Sequence, residues 1–192
     1  MRSWILIAAG IAALLLFAGH SFAATRTDED GNLIFDAQPG DDMTPVSNYS
    51  AQAITLIRSE EGFRLTAYPD AGGWSIGYGH YLGTEKTVET ITREQADAWL
   101  VEDMNNAAEM IRNNVTVPLN QNQFDALTDF SYNLGGKAFV GSDGEPTTWL
   151  TLLNGGDYAG AAAQLSRWVY SEGRVNSVLA ARRDRERTLF LA

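Results

Sequence analysis

The sequence contains no cysteine, which removes disulfides, thiolate nucleophiles and every zinc site that uses sulfur. Histidine is nearly absent too: His20 and His80 are the only two, too few to build an imidazole metal centre, so neither a metal nor a cofactor is expected. Basic residues are scarce, with 14 Lys and Arg against 24 Asp and Glu for a net charge of -10. A field of that sign opposes polyanions and argues against a nucleic-acid partner. What is there suffices for folding. With 45% hydrophobic and 20% charged residues over 192 positions, the chain supports one globular domain with appendages, and a monomer is expected.

Residues 1–24 hold one Arg, an uncharged run from Trp4 to Gly19, His20 and a small-residue stretch. That is the layout of an export segment. Ser21 and Ala23 have the small-x-small spacing of a signal-peptidase site, while the run extended to Ala24 approaches the roughly 20 residues that span a bilayer. Two fates stay open: a cleaved signal peptide, or an anchor in the inner membrane that resembles the weakly hydrophobic signal-arrest-release helices of some phage lysins. Both deliver the remainder to the periplasm. Residues 25–48, with six acids, one Arg and two prolines, read as a solvated linker.

The domain proper is expected over 49–192. Ala53, Ile54, Leu56 and Ile57 have helical spacing within Gln52 to Glu61, and Gly62 suits the helix end. Arg64 to Tyr68 and Trp74 to Gly79 alternate on either side of a Gly-rich turn, which predicts a hairpin. On its second strand Ser75, Gly77 and Gly79 share a face free of bulky side chains, an open surface for something large to approach. Thr92 to Asn113 opens with a Thr-x-x-Gln capping box and predicts a long helix able to join two lobes. Asn120 and Gln123 cap another helix through Tyr132; helices over Thr148 to Asn154, Tyr158 to Tyr170 and Ser177 to Leu191 follow. The class is therefore α+β, mostly helical, with a small hairpin-containing lobe.

Chemistry concentrates at Glu60 to His80. A carboxyl at a helix end, a second in a turn and a strand hydroxyl meet across a short fold-back. Two carboxyls flanking a glycosidic bond are what hydrolysis of a sugar polymer needs: one protonates the leaving oxygen, the other activates or positions water. Apolar surroundings and the negative end of a helix would keep the first protonated at neutral pH. Helical spacing leaves Glu60 and Glu61 equivalent, because both flank the apolar stripe.

Glu61-Gly62-x-Arg64-Leu65-x-x-Tyr68-x-Asp70, then Trp74-Ser75-Ile76-Gly77-Tyr78-Gly79-His80, resembles the active-site stretch of phage-type lysozymes, the endolysins that cleave peptidoglycan. Segments from Thr92 to Arg183 resemble that family's helical lobe in order, so the likeness covers nearly all of 49–192. It implies a lysozyme-like fold with a cleft between the lobes, and a glycoside hydrolase that cuts the β-1,4 bond between N-acetylmuramic acid and N-acetylglucosamine with inversion, lysing a host cell. It selects Glu61 over Glu60 as general acid, with Asp70 the second carboxylate and Ser75 the hydroxyl that holds water. Two departures stand out: the family usually has Thr where Ser75 stands, and the four residues 71–74 between Asp70 and the hydroxyl are one fewer than normal. By family position Tyr81, Tyr132 and Trp149 line the sugar cleft. Competing readings are a lytic transglycosylase, which needs only the acid, and a non-catalytic peptidoglycan-binding module.

His80 is expected to be structural, paired with a helix carboxylate. In the last helix Val178, Leu179, Arg182, Glu186, Leu189 and Phe190 share one face while Arg187 points away. An inward Arg182 needs a partner. Helix spacing offers Glu186; the resemblance adds the catalytic acid. Arg174, Arg182, Arg183, Arg185 and Arg187 make this end locally basic, either as a solvated face or for anionic wall polymers.

Overall fold

The computed structural model describes residues 14–17, 20–27 and 33–35, and residues 48–192 apart from Ala71 and Glu172. The chain divides into two units, Met1–Pro45 and Val46–Ala192. In the first, β1 (Leu14–Phe17), β2 (His20–Thr27) and β3 (Leu33–Phe35) form an antiparallel sheet in the order β1-β2-β3. The described part of the export segment is thus extended and not the helix its anchor reading implies, and part of the linker is strand. Residues 1–13, where that reading begins, lie outside the described residues. Among the described residues no helix is long and apolar enough to cross a membrane.

The second unit opens with α1 (Ala51–Glu61), capped by Ser50, whose Oγ accepts from Gln52 N at 3.1 Å. Gly62 ends the helix at φ 68°, a backbone region that favours glycine, so Glu61 becomes its last residue. A three-stranded antiparallel sheet follows: β4 (Arg64–Asp70), β5 (Gly73–Gly77) and β6 (His80–Gly83). Asp70 pairs with Gly73 and Tyr68 with Ser75 in the register of β4 and β5. The third strand is an addition to the predicted hairpin. It lies so close to β5 that a Cβ at residue 73 would come within 2.3 Å of the Gly83 carbonyl oxygen.

The long helix α2 (Arg93–Asn114) carries the predicted capping box, with Thr92 Oγ1 accepting from Gln95 N at 3.2 Å. Its apolar face serves two cores in turn. Ala96, Leu100 and Met104 pack with Ala53, Ile57, Ile76, Tyr78 and Ile91; one end further on, Ala108 and Ile111 pack with Phe124, Leu127, Phe130 and Trp149. Truncating Leu100 to Ala would cost about 2–5 kcal/mol through lost burial and the cavity left behind.

Four more helices complete the larger core: α3 (Gln121–Leu134), α4 (Thr148–Asn154), α5 (Tyr158–Leu165) and α6 (Ser177–Phe190), with a 3-10 turn at Gly135–Ala138 after α3. The Asn120 capping box of α3 forms, and that helix is buried from Gln123 to Ser131. The predicted helix from Tyr158 to Tyr170 stops early. Ser166 Oγ donates to Ala163 O at 2.8 Å, Trp168 turns back to meet the Phe130 ring edge-on at 5.8 Å, and Tyr170 enters a hairpin of β7 (Tyr170–Ser171) and β8 (Arg174–Val175).

Candidate active site

Four elements converge on Glu61. The Gly62 turn leaves its carboxyl at the mouth of α1, with the side chain 17% exposed. Arg182 of α6 donates from Nη1 to Glu61 Oε1 at 2.5 Å, and from Nη2 to Asp129 Oδ1 of α3 at 2.5 Å. The other Glu61 oxygen faces Gly79, where a Cβ would stand 3.5 Å from Oε2. Burial raises the Glu61 pKa above the usual carboxylate value; Arg182 opposes this, and Asp129 and Glu60 reinforce it. Burial also works against the Arg182 charge, but Asp129 and Glu61 outweigh it and hold the guanidinium protonated.

Across the sheet Asp70 is exposed, at the end of β4. Ser75 Oγ donates to Asp70 Oδ2 at 2.9 Å. Ser75 itself is 0% exposed, which corrects the reading of an open strand face. What approaches Gly77 on this strand is the protein's own Ala96 and Ile91, 3.2 and 3.4 Å from where a Cβ would be.

Tyr68, which entered the sequence argument only as part of the family motif, lies between the two carboxyls electrostatically. Its hydroxyl is pushed up by burial and then by both Asp70 and Glu61, while Arg64, whose guanidinium lies 4.6 Å from the ring centroid, opposes the shift. The group therefore lies within the field of each. Tyr132 donates its OH to Tyr78 O at 2.8 Å, and its pKa is driven far up by burial, Glu61 and Asp103. Its hydroxyl is thus committed to backbone. Tyr81 is 51% exposed on β6, opposite Ser75 in register.

Trp149 is a core residue that reaches the wall of a hollow between residues 141–148 and 164–168. It is 1% exposed, donates its indole N–H to Ala138 O at 2.6 Å and meets Phe130 and Phe139 edge-on. Aromatic burial in the helical core overrides the position the family pattern gave it. His80 Nδ1 lies 2.9 Å from Asp103 Oδ2 and the ring stacks on Trp99 at 4.5 Å. The Asp103 hydrogen bond raises the His80 pKa against the effect of burial.

On α6 the inward face holds Arg182, Arg183, Glu186 and Phe190, whereas Val178, placed inward by helical spacing, is exposed on the first turn. The basic end is largely spent in ion pairs: Arg182 and Arg183 are buried, Arg185 binds Glu60, and Arg187 lies 3.5 Å from Asp184. Asp129 carried no expectation, and Arg183 counted only toward the basic end. The only sequence signals were the tandem Arg182-Arg183 with Glu186 at i+4 and i+3, and an Asp inside the apolar run of α3. Among the described residues no group of three or more His, Asp or Glu is arranged to hold a metal ion.

Comparison with known proteins gives this arrangement its class. The phage lysozyme family model matches residues 58–186. An endolysin of Acyrthosiphon pisum secondary endosymbiont phage 1 is 39% identical over 148 residues, covering 73% of this chain and 96% of its own. A SAR-endolysin of Enterobacteria phage P21 is 31% identical over 132 residues, covering 68% and 77%. Among solved structures, a mutant of P22 lysozyme superposes with a TM-score of 0.61 at 39% identity, over 76% of this chain and 99% of that one. The muramidase domain of SpmX from Asticaccaulis excentricus gives 0.65 at 36% identity, over 76% and 98%. The fold is lysozyme-like, and the chain belongs to the phage lysozyme family. It is accordingly a glycoside hydrolase, a peptidoglycan-degrading lysozyme of the endolysin kind.

Proposed function

We propose that this enzyme hydrolyses the β-1,4 bond between N-acetylmuramic acid and N-acetylglucosamine with inversion, Glu61 acting as general acid and Asp70 as the carboxylate that activates water. The carrying observation is the contrast between them: Glu61 is enclosed, with burial raising its pKa, and Asp70 is exposed and held by a hydroxyl. The Glu61 proton passes to the glycosidic oxygen as the C–O bond breaks. Water on the opposite face of the sugar, oriented by the free oxygen of Asp70, attacks the oxocarbenium-like carbon and gives up its proton to that carboxylate. Ser75, being buried, serves by fixing Asp70, and so helps position the water through it. Arg182 orients Glu61; Tyr132 and Tyr81 shape the sugar site.

Residues 1–24 carry the enzyme across the inner membrane, either cut after Ala23 or retained as a releasable anchor. Their uncharged run and the SAR-endolysin relatives support this. Fractionation with N-terminal sequencing separates the two fates, and full-length chain confined to the cytosol refutes both. For the chemistry, purified peptidoglycan is digested and its fragments are weighed. Reducing muramic ends carrying added water are expected. Anhydro ends would mean a transglycosylase, and no fragments would mean a binding module.

A further inference from the structure

Glu186 is fully buried on α6 and has no part in the steps above. Arg183 Nη2 donates to its Oε1 at 2.7 Å and Arg182 Nε lies 3.5 Å from the same oxygen, while Arg182 Nη2 donates to Asp129 Oδ1 at 2.5 Å, so one guanidinium holds both carboxyls. The remaining charged or titratable groups facing this cluster are Glu61 from α1, reached through Arg182 and flanked by the Glu60–Arg185 pair, and the Tyr132 phenol from α3. Two buried guanidiniums thus meet three carboxyls. Two ionised carboxylates held on one guanidinium offer each other only acceptors; a proton on one of them supplies the missing donor. Asp129 Oδ2 and Glu186 Oε2 are both buried, and neither has a hydrogen-bond partner among the described residues. A single proton between the groups satisfies both.

We propose that Asp129 and Glu186 share one proton behind Arg182, and that this acid pair is the positioning element that holds the guanidinium against Glu61. A neutral Glu186 leaves Asp129 as the one fixed anion to anchor Nη2, which aims Nη1 at Glu61. Ionising both would set two carboxylates against each other and loosen the anchor. Burial, resisted by Arg183 and assisted by Asp129, pushes Glu186 up to about 9, so the proton stays through the neutral range. An unfolded glutamate titrates near 4.5. Between these values the folded chain binds a proton that the unfolded chain lacks, so stability falls as pH rises across the window and is level above it. The inference rests on the reading of Glu61 as proton donor.

The test is a carbon-13 titration of the glutamate carboxyls in the full chain, with Glu186→Gln to assign the signal. The resonance assigned to Glu186 is expected to remain in the protonated position at pH 7 and to vanish in the variant. The melting temperature of the parent should fall relative to Glu186→Gln from pH 5 to pH 9. Glu186→Leu, which removes the donor to Asp129, should lower lysis about tenfold, and Glu186→Gln, whose amide still donates, should restore most of it. Should the Leu variant fail to fold, the titration and the melting comparison still decide. All glutamates ionised by pH 6, or a melting difference that is constant with pH, would overturn the proposal. A Glu61 that proves not to be the proton donor would leave the Glu186 resonance unmoved, so the two readings fail separately.

Discussion

The two carboxyls that flank the site are held in opposite ways. Glu61 sits at a helix end, mostly enclosed, locked to Arg182, which in turn binds Asp129. Asp70 sits on an exposed strand end and is held by one buried hydroxyl. Identical functional groups acquire different tasks from their surroundings: enclosure favours the neutral acid, and exposure with a neutral donor leaves a carboxylate free to meet water. The supporting structure differs to match. The acid depends on tertiary contacts from α3 and α6, while the carboxylate depends on a local turn.

Breaking the acid side should have the largest effect. Glu61→Gln matches the shape but cannot donate a proton, and should lower the lysis rate roughly 10²–10⁴-fold with an unchanged melting temperature. Normal lysis in that variant with loss in Glu60→Gln would move the acid by one residue. Asp70→Asn should be nearly as damaging, because it removes the charge facing the oxocarbenium-like state; near-parental turnover would place the water elsewhere.

The support of each carboxyl comes next. Arg182→Ala strands Glu61 and Asp129 and should cost about 3–5 kcal/mol in chemical denaturation, whereas Arg187→Ala, breaking an exposed pair with Asp184, should cost under about 1 kcal/mol. Equal costs would mean that the buried network contributes no more than surface charge. Ser75→Ala should slow lysis about 10- to 100-fold, the equivalent of one hydrogen bond to a charged acceptor at about 1.5–3 kcal/mol. Ser75→Thr keeps the hydroxyl but adds a methyl to a filled site, so turnover should exceed that of the Ala variant while stability falls by about 1–3 kcal/mol.

The smallest effect is expected at His80. Its pKa is raised on folding by Asp103, so its stabilisation is complete below the unfolded value of 6.5 and is lost as pH rises through the folded value. His80→Asn should therefore be less stable than the parent at pH 5.5 and approach it above pH 8, as read by melting temperature; a gap that widens with pH would reverse the assignment.

The same division decided what was legible in the sequence. Features fixed by neighbours along the chain were readable: the Thr92 and Asn120 capping boxes, the Gly62 stop that places Glu61, and the turn bringing Asp70 to Ser75. Features fixed by distant packing were not. Trp149 has the pattern of a cleft aromatic and the contacts of a core one, and Asp129 is 53 residues from Arg182, its only local mark being an acid within an apolar run. Arg183 reads in the sequence only as part of the basic end of the last helix, whereas its guanidinium packs over the Phe130 ring at 4.8 Å.

The central claim is that enclosure keeps Glu61 protonated where the enzyme works. Following the Glu61 carboxyl by carbon-13 NMR alongside the pH dependence of kcat/KM tests it directly. The account predicts that Glu61 titrates above the ordinary glutamate value of 4.5 and that activity declines on the alkaline side together with that titration. A Glu61 already ionised across the active pH range would contradict it.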